Sequence, residues 1–141
     1  MSEQQATARA ARQATTIGGI AALVAGLLTA VLGTLLHAQI LYVGQTPVIW
    51  GAVAALVLAA AFFTLAAVYS ERIWAAALAG TVAYGTVALM SFDTTNWLIV
   101  AWAQRQVMFG PALAGAVWTF GLVASTVVAL FLAAAVLRRR R

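Results

Sequence analysis

The 141-residue chain has no cysteine and no lysine, and it carries only three acidic side chains, one histidine and two prolines. Without cysteine there is no disulfide, no thiolate metal site, no redox thiol and no cysteine-linked lipid anchor. Charged residues are 8% of the chain and hydrophobic ones 65%, where a soluble domain has about 25% and about 45–50%. A fold of this length cannot hide so much apolar surface from water. A soluble enzyme, a disordered chain and a secreted disulfide scaffold are thereby excluded, which leaves a small integral membrane protein. Chemistry-bearing patterns are missing too: no phosphate-binding glycine loop, no nucleophile elbow, no HExxH and no paired carboxylates. The expectation is a non-catalytic chain without a cofactor or a metal.

What the chain does have is four apolar runs of spanning length. About 20 residues at ~1.5 Å each are needed to cross ~30 Å of hydrocarbon. The runs read as spans over 16–38, 47–69, 72–91 and 111–137. The first exceeds the ~7–15-residue apolar core of a cleaved signal peptide and is read as a span. Pro47 suits the first turn of the second, where a missing N–H is harmless. The fourth is long enough to tilt or protrude. Tyr69-Ser70-Glu71-Arg72 is a tight turn, so spans two and three are expected to form an antiparallel hairpin. Between spans three and four, Thr94-Thr95-Asn96 precede the run from Trp97 to Trp102, a helix-start signal. This predicts a short helix over 95–108, too short to cross and lying along the outer interface. The fold class is all-α: one domain over 1–141, an integral membrane four-helix bundle with a short outer interfacial helix.

The net charge is +5. In a soluble protein that balance would suggest nucleic acid. Here the arginines sit at the ends of apolar runs, so nucleic acid is not an expected partner. Arg9, Arg12, Arg72, Arg138, Arg139, Arg140 and Arg141 fall on one side and Arg105 on the other. The positive-inside rule then places both termini in the cytoplasm and the chain in the cell membrane. Arg138, Arg139, Arg140 and Arg141 read as inner-leaflet contacts, worth ~1 kcal/mol per charge, or as a stop-transfer signal. The polar stretch 1–15 is either frayed or a helical continuation of span one.

Small residues recur at helical spacing. Gly19, Gly26 and Gly33 are seven apart, with Ala22 and Ala30 beside them, and Gly121, Ser125, Ala129 and Ala133 are four apart. Such stripes let helix backbones approach closely in lipid. They serve either packing within the bundle or docking of a partner. Tyr42, Trp50, Tyr69, Trp74, Trp97, Trp102 and Trp118 read as interfacial anchors.

No span centre holds Asp, Glu, Lys, Arg or His, the usual mark of transport or catalysis inside a membrane. Small multidrug-resistance transporters use a membrane-embedded Glu, whereas Glu3 and Glu71 lie at aqueous edges. The polar pore pattern of four-span fluoride channels has no match either. The remaining polar candidates are His37, Asp93 and Arg105, all expected on the outer side. They are solvated boundary residues or a structural pair, His37 with Asp93 or Asp93 with Arg105, and they are too few for a metal site.

The layout resembles a family of small four-span membrane proteins of actinobacteria. The resemblance rests on the Gly-rich first span, Pro47 with Trp50-Gly51, the tight Glu71-Arg72 turn, and Val117-Trp118-Thr119-Phe120-Gly121. The use of Arg without Lys also looks like a GC-rich genome. The likeness covers roughly 16–137 and implies a fold and a location, but no activity and no catalytic residue. Together these features predict an accessory or assembly subunit of a larger membrane complex, acting by helix packing, with membrane lipid and protein as partners. The alternative is a homo-oligomeric small-solute transporter or channel. Its neutral path would be lined by Thr29, Thr34, Thr64, Thr81, Thr86, Thr119, Ser125 and Thr126, unless those hydroxyls bond to their own helices.

Overall fold

The computed structural model describes residues 3–92 and 98–140, the side chain of Ala6 excepted. Long apolar runs rich in alanine and leucine, both good helix formers, give four helices. They are α1 (Glu3–His37), α2 (Trp50–Tyr69), α3 (Trp74–Ser91) and α4 (Phe109–Arg139). Each is long and apolar enough to cross a membrane. The all-helical class and the four-helix count agree with the sequence reading. The helix termini choose between the alternatives left open. α1 begins at Glu3, so the polar stretch continues the first apolar run as helix, and α4 ends only at Arg139.

Two connections depart from expectation. Pro47 does not open α2. It lies in β2 (Thr46–Val48), which pairs antiparallel with β1 (Leu41–Val43), Tyr42 opposite Pro47. Gly44 at φ +63° makes the tight link possible, since a glycine at the first central position suits a two-residue hairpin turn. A proline is tolerated there because the two-stranded ribbon is all edge. The second departure concerns the helix expected over 95–108. In the described part, 98–108, it is reduced to a 3-10 turn at Trp102–Gln104. The Ile99-Val100 stretch instead packs into the bundle, where Val100 O lies 2.6 Å from where a Cβ of Gly115 would stand.

The order around the bundle is α1-α2-α4-α3. α1 packs on α2 and α3, and α4 packs on the same two helices, whereas α1 and α4 meet little. α2 and α3, joined by the shortest helix connection, touch each other less than either touches α1. The expected α2–α3 hairpin is therefore closer to a diagonal pair. Their link ends α2 with Glu71 in the left-handed region at φ 55°, and the Arg72 N–H reaches back to Ala67 O at 3.0 Å. That 6→1 bond satisfies a terminal carbonyl of α2.

The core is built mainly of alanine. Ala22, Ala30, Ala55, Ala59, Ala76, Ala79, Ala83, Ala129 and Ala133 are fully buried, with Phe63, Val87, Trp118 and Leu122 as the large members. Most large apolar side chains point outward: Leu23, Val24, Leu27, Val57, Leu65, Leu89 and Phe131 are all exposed. This arrangement, small inside and large outside, reverses the usual distribution of a water-soluble fold. It follows from close packing, because backbones can approach only where side chains are small.

Candidate functional site

The small-residue stripes are spent largely within the bundle. A Cβ at Gly26 would lie 2.7 Å from both Ala79 O and Val82 Cβ of α3. A Cβ at Gly33 would fall on the Trp118 ring of α4, and one at Gly121 on Leu56 of α2. Ser125 Oγ donates to Leu56 O at 3.0 Å, a bond between α4 and α2, and Ala129 is fully buried one turn on. Gly19 is the exception, with nothing within 4 Å of its would-be Cβ. Of the stripe residues, Gly26, Gly33, Gly121, Ser125 and Ala129 therefore pack within the same chain.

Of the three outer polar candidates the structure describes two, His37 and Arg105, and they stand in different surroundings. His37 is not a solvated boundary residue. It is 3% exposed, its ring stacks on Trp118 with centroids 6.1 Å apart and planes 20° apart, and its Nδ1–H donates to Thr34 O. The carbonyl can only accept, so Nδ1 carries the proton and Nε2 keeps the lone pair in the neutral ring. Arg105 is exposed and lies with its guanidinium carbon 5.5 Å from the Trp102 ring centre, a cation–π contact. Asp93 lies outside the described residues, as does Trp97.

Trp118 is a correction as well. It reads from the sequence as an interfacial anchor, but it is fully buried and fills the slot that Gly33 leaves. The usable signal was its depth: it lies seven residues, or ~10 Å, inside its apolar run. Among the described residues three buried polar side-chain atoms have no partner: Thr29 Oγ1, Thr34 Oγ1 and Trp118 Nε1. Of the other hydroxyls proposed for a neutral path, those of Thr64, Thr81, Thr86 and Thr126 bond to carbonyls four residues back in their own helices. Ser125 is committed to Leu56. The helix backbone is the nearest acceptor in an apolar setting, which is why hydroxyls turn to it.

At the opposite end of the bundle, Arg138 donates through Nε to Ala134 O at 3.4 Å, and Arg139 and Arg140 are exposed. Arg141 lies outside the described residues. Arg72, in the α2–α3 link, joins Arg138 in lining one hollow of about 420 Å³.

The structure thus defines a class, a four-helix bundle with alanine-packed interfaces and helices of membrane-spanning length. Comparison with known proteins adds no relative: no protein-family model, no curated protein and no solved structure matches the chain.

Proposed function

We propose that the chain is a multi-pass protein of the cell membrane, with both termini cytoplasmic, that serves as a non-catalytic accessory subunit of a larger membrane complex. Membrane embedding is supported by the inverted distribution of side chains, which suits a lipid surround and would leave a broad apolar surface in water. The orientation follows from the arginines: Arg72, Arg138, Arg139 and Arg140 share one end, and Arg105 stands at the other.

The observation that carries the subunit reading is the first part of α1. Residues 3–5 and 7–13 are helical and exposed, so α1 projects ~20 Å beyond its first packed turn at Gly18. A polar helix of about 13 residues is marginal in water unless something propagates or covers it. The membrane helix propagates it, and a cytoplasmic surface of a partner would cover it. Thr7 and Thr15 leave little for such a partner, since their hydroxyls bond back to Glu3 O and Ala11 O. Gln4, Gln5 and Arg12 are the contact groups. A homo-oligomeric channel has less to build on: of the eight hydroxyls named for its path five are bonded to backbone carbonyls, Thr29 and Thr34 are buried inside one bundle, and Thr119 alone is half-buried without a bond.

The chain has no cysteine of its own, so single cysteines at Ala8 or Ala11 report contacts cleanly. Cross-linking in native membranes should yield one defined adduct with a stoichiometric second protein. Deleting residues 2–12 should abolish the adduct while the chain stays in the membrane fraction. Quantitative recovery of an uncross-linked monomer in native nanodiscs would overturn the subunit reading.

A further inference from the structure

We infer that the seam between α3 and α4 binds one anionic phospholipid of the cytoplasmic leaflet, its headgroup phosphate held by Arg72 and Arg138 and an acyl chain lying in the groove above. This rests on the membrane reading given above. The headgroup end is the hollow of about 420 Å³ lined by Arg72 and Arg138 together with Glu71, Trp74 and Leu137. Among the described residues no carboxylate is paired with either arginine. Two guanidiniums outnumber the single carboxylate of Glu71, and a guanidinium fork matches phosphate oxygens. α3 starts here without a side-chain cap, so the positive end of its dipole adds to the same field.

The acyl end is a separate hollow of about 380 Å³ on the same pair of helices, lined by Thr81, Tyr84, Gly85, Val123 and Val127 among others. The two hollows lie along one seam. Trp74, Thr81 and Gly85 are spaced seven and four on α3, and Ala134, Val127 and Val123 are spaced seven and four on α4. Each set therefore occupies one helix face. Seven residues put ~10 Å between the groove and Trp74 and Ala134 in the floor of the headgroup hollow, a separation that a glycerol backbone and the first acyl carbons can bridge. Gly85 makes the groove. Unlike Gly26, Gly33, Gly80 and Gly121, it meets nothing within 4 Å of a would-be Cβ. It does not bring helices together, and as an interior helix glycine it weakens α3 relative to alanine. Its effect is to leave a shallow floor between Tyr84 and Val123. Charge complementarity at the mouth and an apolar channel below match the two ends of one lipid.

The test is native mass spectrometry of the full-length chain in detergent, titrated with phosphatidylglycerol, phosphatidylcholine or inorganic phosphate. The expected result is a single bound phosphatidylglycerol, preferred over phosphatidylcholine. The double variant Arg72→Gln/Arg138→Gln should bind it about thirty-fold more weakly, the effect of two basic groups near an anionic surface. Gly85→Leu should also weaken it, and Arg139→Gln/Arg140→Gln should not. Equal losses in the two arginine doubles would mean general attraction to the leaflet and would overturn the site. Inorganic phosphate competing as well as the lipid, with Gly85→Leu unchanged, would overturn the lipid as its occupant. Circular dichroism confirms that each variant folds. Carbonate-resistant membrane association of the same chains tests the membrane reading separately.

Discussion

Gly33 and Gly85 offer a controlled measurement of what helix contact contributes to this bundle. Both are interior helix glycines, and both lie in long apolar helices. Replacing either with alanine raises helix propensity by the same increment, up to about 1 kcal/mol on scales measured in water. That increment differs in a bilayer, but it cancels in the comparison. What does not cancel is the surroundings. A methyl at Gly85 meets nothing within 4 Å, whereas a methyl at Gly33 lands on the Trp118 ring. Trp118 is fully buried and its ring is stacked against His37. Overpacking of this kind costs typically ~1–3 kcal/mol. Gly33→Ala should therefore be less stable than Gly85→Ala by about 1–3 kcal/mol, roughly a 5- to 150-fold difference in the unfolding equilibrium. The assay is reversible unfolding in mixed micelles, followed by far-ultraviolet circular dichroism and by tryptophan fluorescence. Equal stability of the two variants would refute the reasoning, because it would mean that the Gly33–Trp118 contact either is absent or relaxes without cost.

Three further outcomes are expected. Ser125→Ala removes the only donor to Leu56 O from α4 among the described residues and should cost about 0.6 kcal/mol, up to ~1.7, the range for hydrogen bonds between membrane helices; the same unfolding assay reads it. Thr29→Val replaces a buried hydroxyl that has no partner with a methyl of similar shape, and should be neutral or stabilising by ~1 kcal/mol, since an unsatisfied buried group carries its full desolvation penalty. A loss of more than 1 kcal/mol there would show that the hydroxyl has a partner after all. A cysteine placed at Val107, which is 82% exposed, should react with a membrane-impermeant maleimide on intact cells, and one at Arg140 should react only after lysis; the reverse pattern would invert the topology.

The electrostatic content of the bundle is concentrated at its ends, and this shapes what it can do. The arginine-bearing end combines Arg72, Arg138, Arg139 and Arg140 with a single acidic neighbour, Glu71. The other end carries a cap of exposed apolar and aromatic groups, with Leu41, Tyr42, Val43, Trp102, Val107 and Phe109 around Arg105. A bundle of this kind has one cationic mouth and one amphipathic cap. Among the described residues its interior offers a buried imidazole and the unpartnered hydroxyls of Thr29 and Thr34.

Much of the architecture was readable because the information is local. An apolar run of 18 or more residues has one low-energy arrangement in lipid, a helix, whatever its neighbours do. Four such runs and their order follow from counting residues. The turn at Glu71-Arg72 and the small-residue stripes are local in the same way. Pro47 misled because its tolerance of a helix start and its tolerance of a hairpin edge look alike in one dimension. Ile99 and Val100 misled because an apolar segment beside tryptophans reads as interfacial until something of the right shape, here Gly115, takes it in.

Only the tertiary structure decided which faces meet. When nearly every inward position is alanine or glycine, all pairings look equally permissible along the chain, and the choice falls to a few shape matches: Gly33 with Trp118, Gly121 with Leu56, Gly80 with Thr126. With Gly26 against Val82 and Gly51 against Leu36 O, the last two join neighbours in the order α1-α2-α4-α3, while Gly33 with Trp118 reaches across the diagonal beside the buried His37, and Gly19 and Gly85 stay uncovered. The apolar runs determined that the chain makes four long helices, since a helix satisfies its backbone polar groups within its own segment; the fit of one tryptophan and a handful of larger side chains into glycine slots, a property of pairs of distant residues, determined how those helices are arranged.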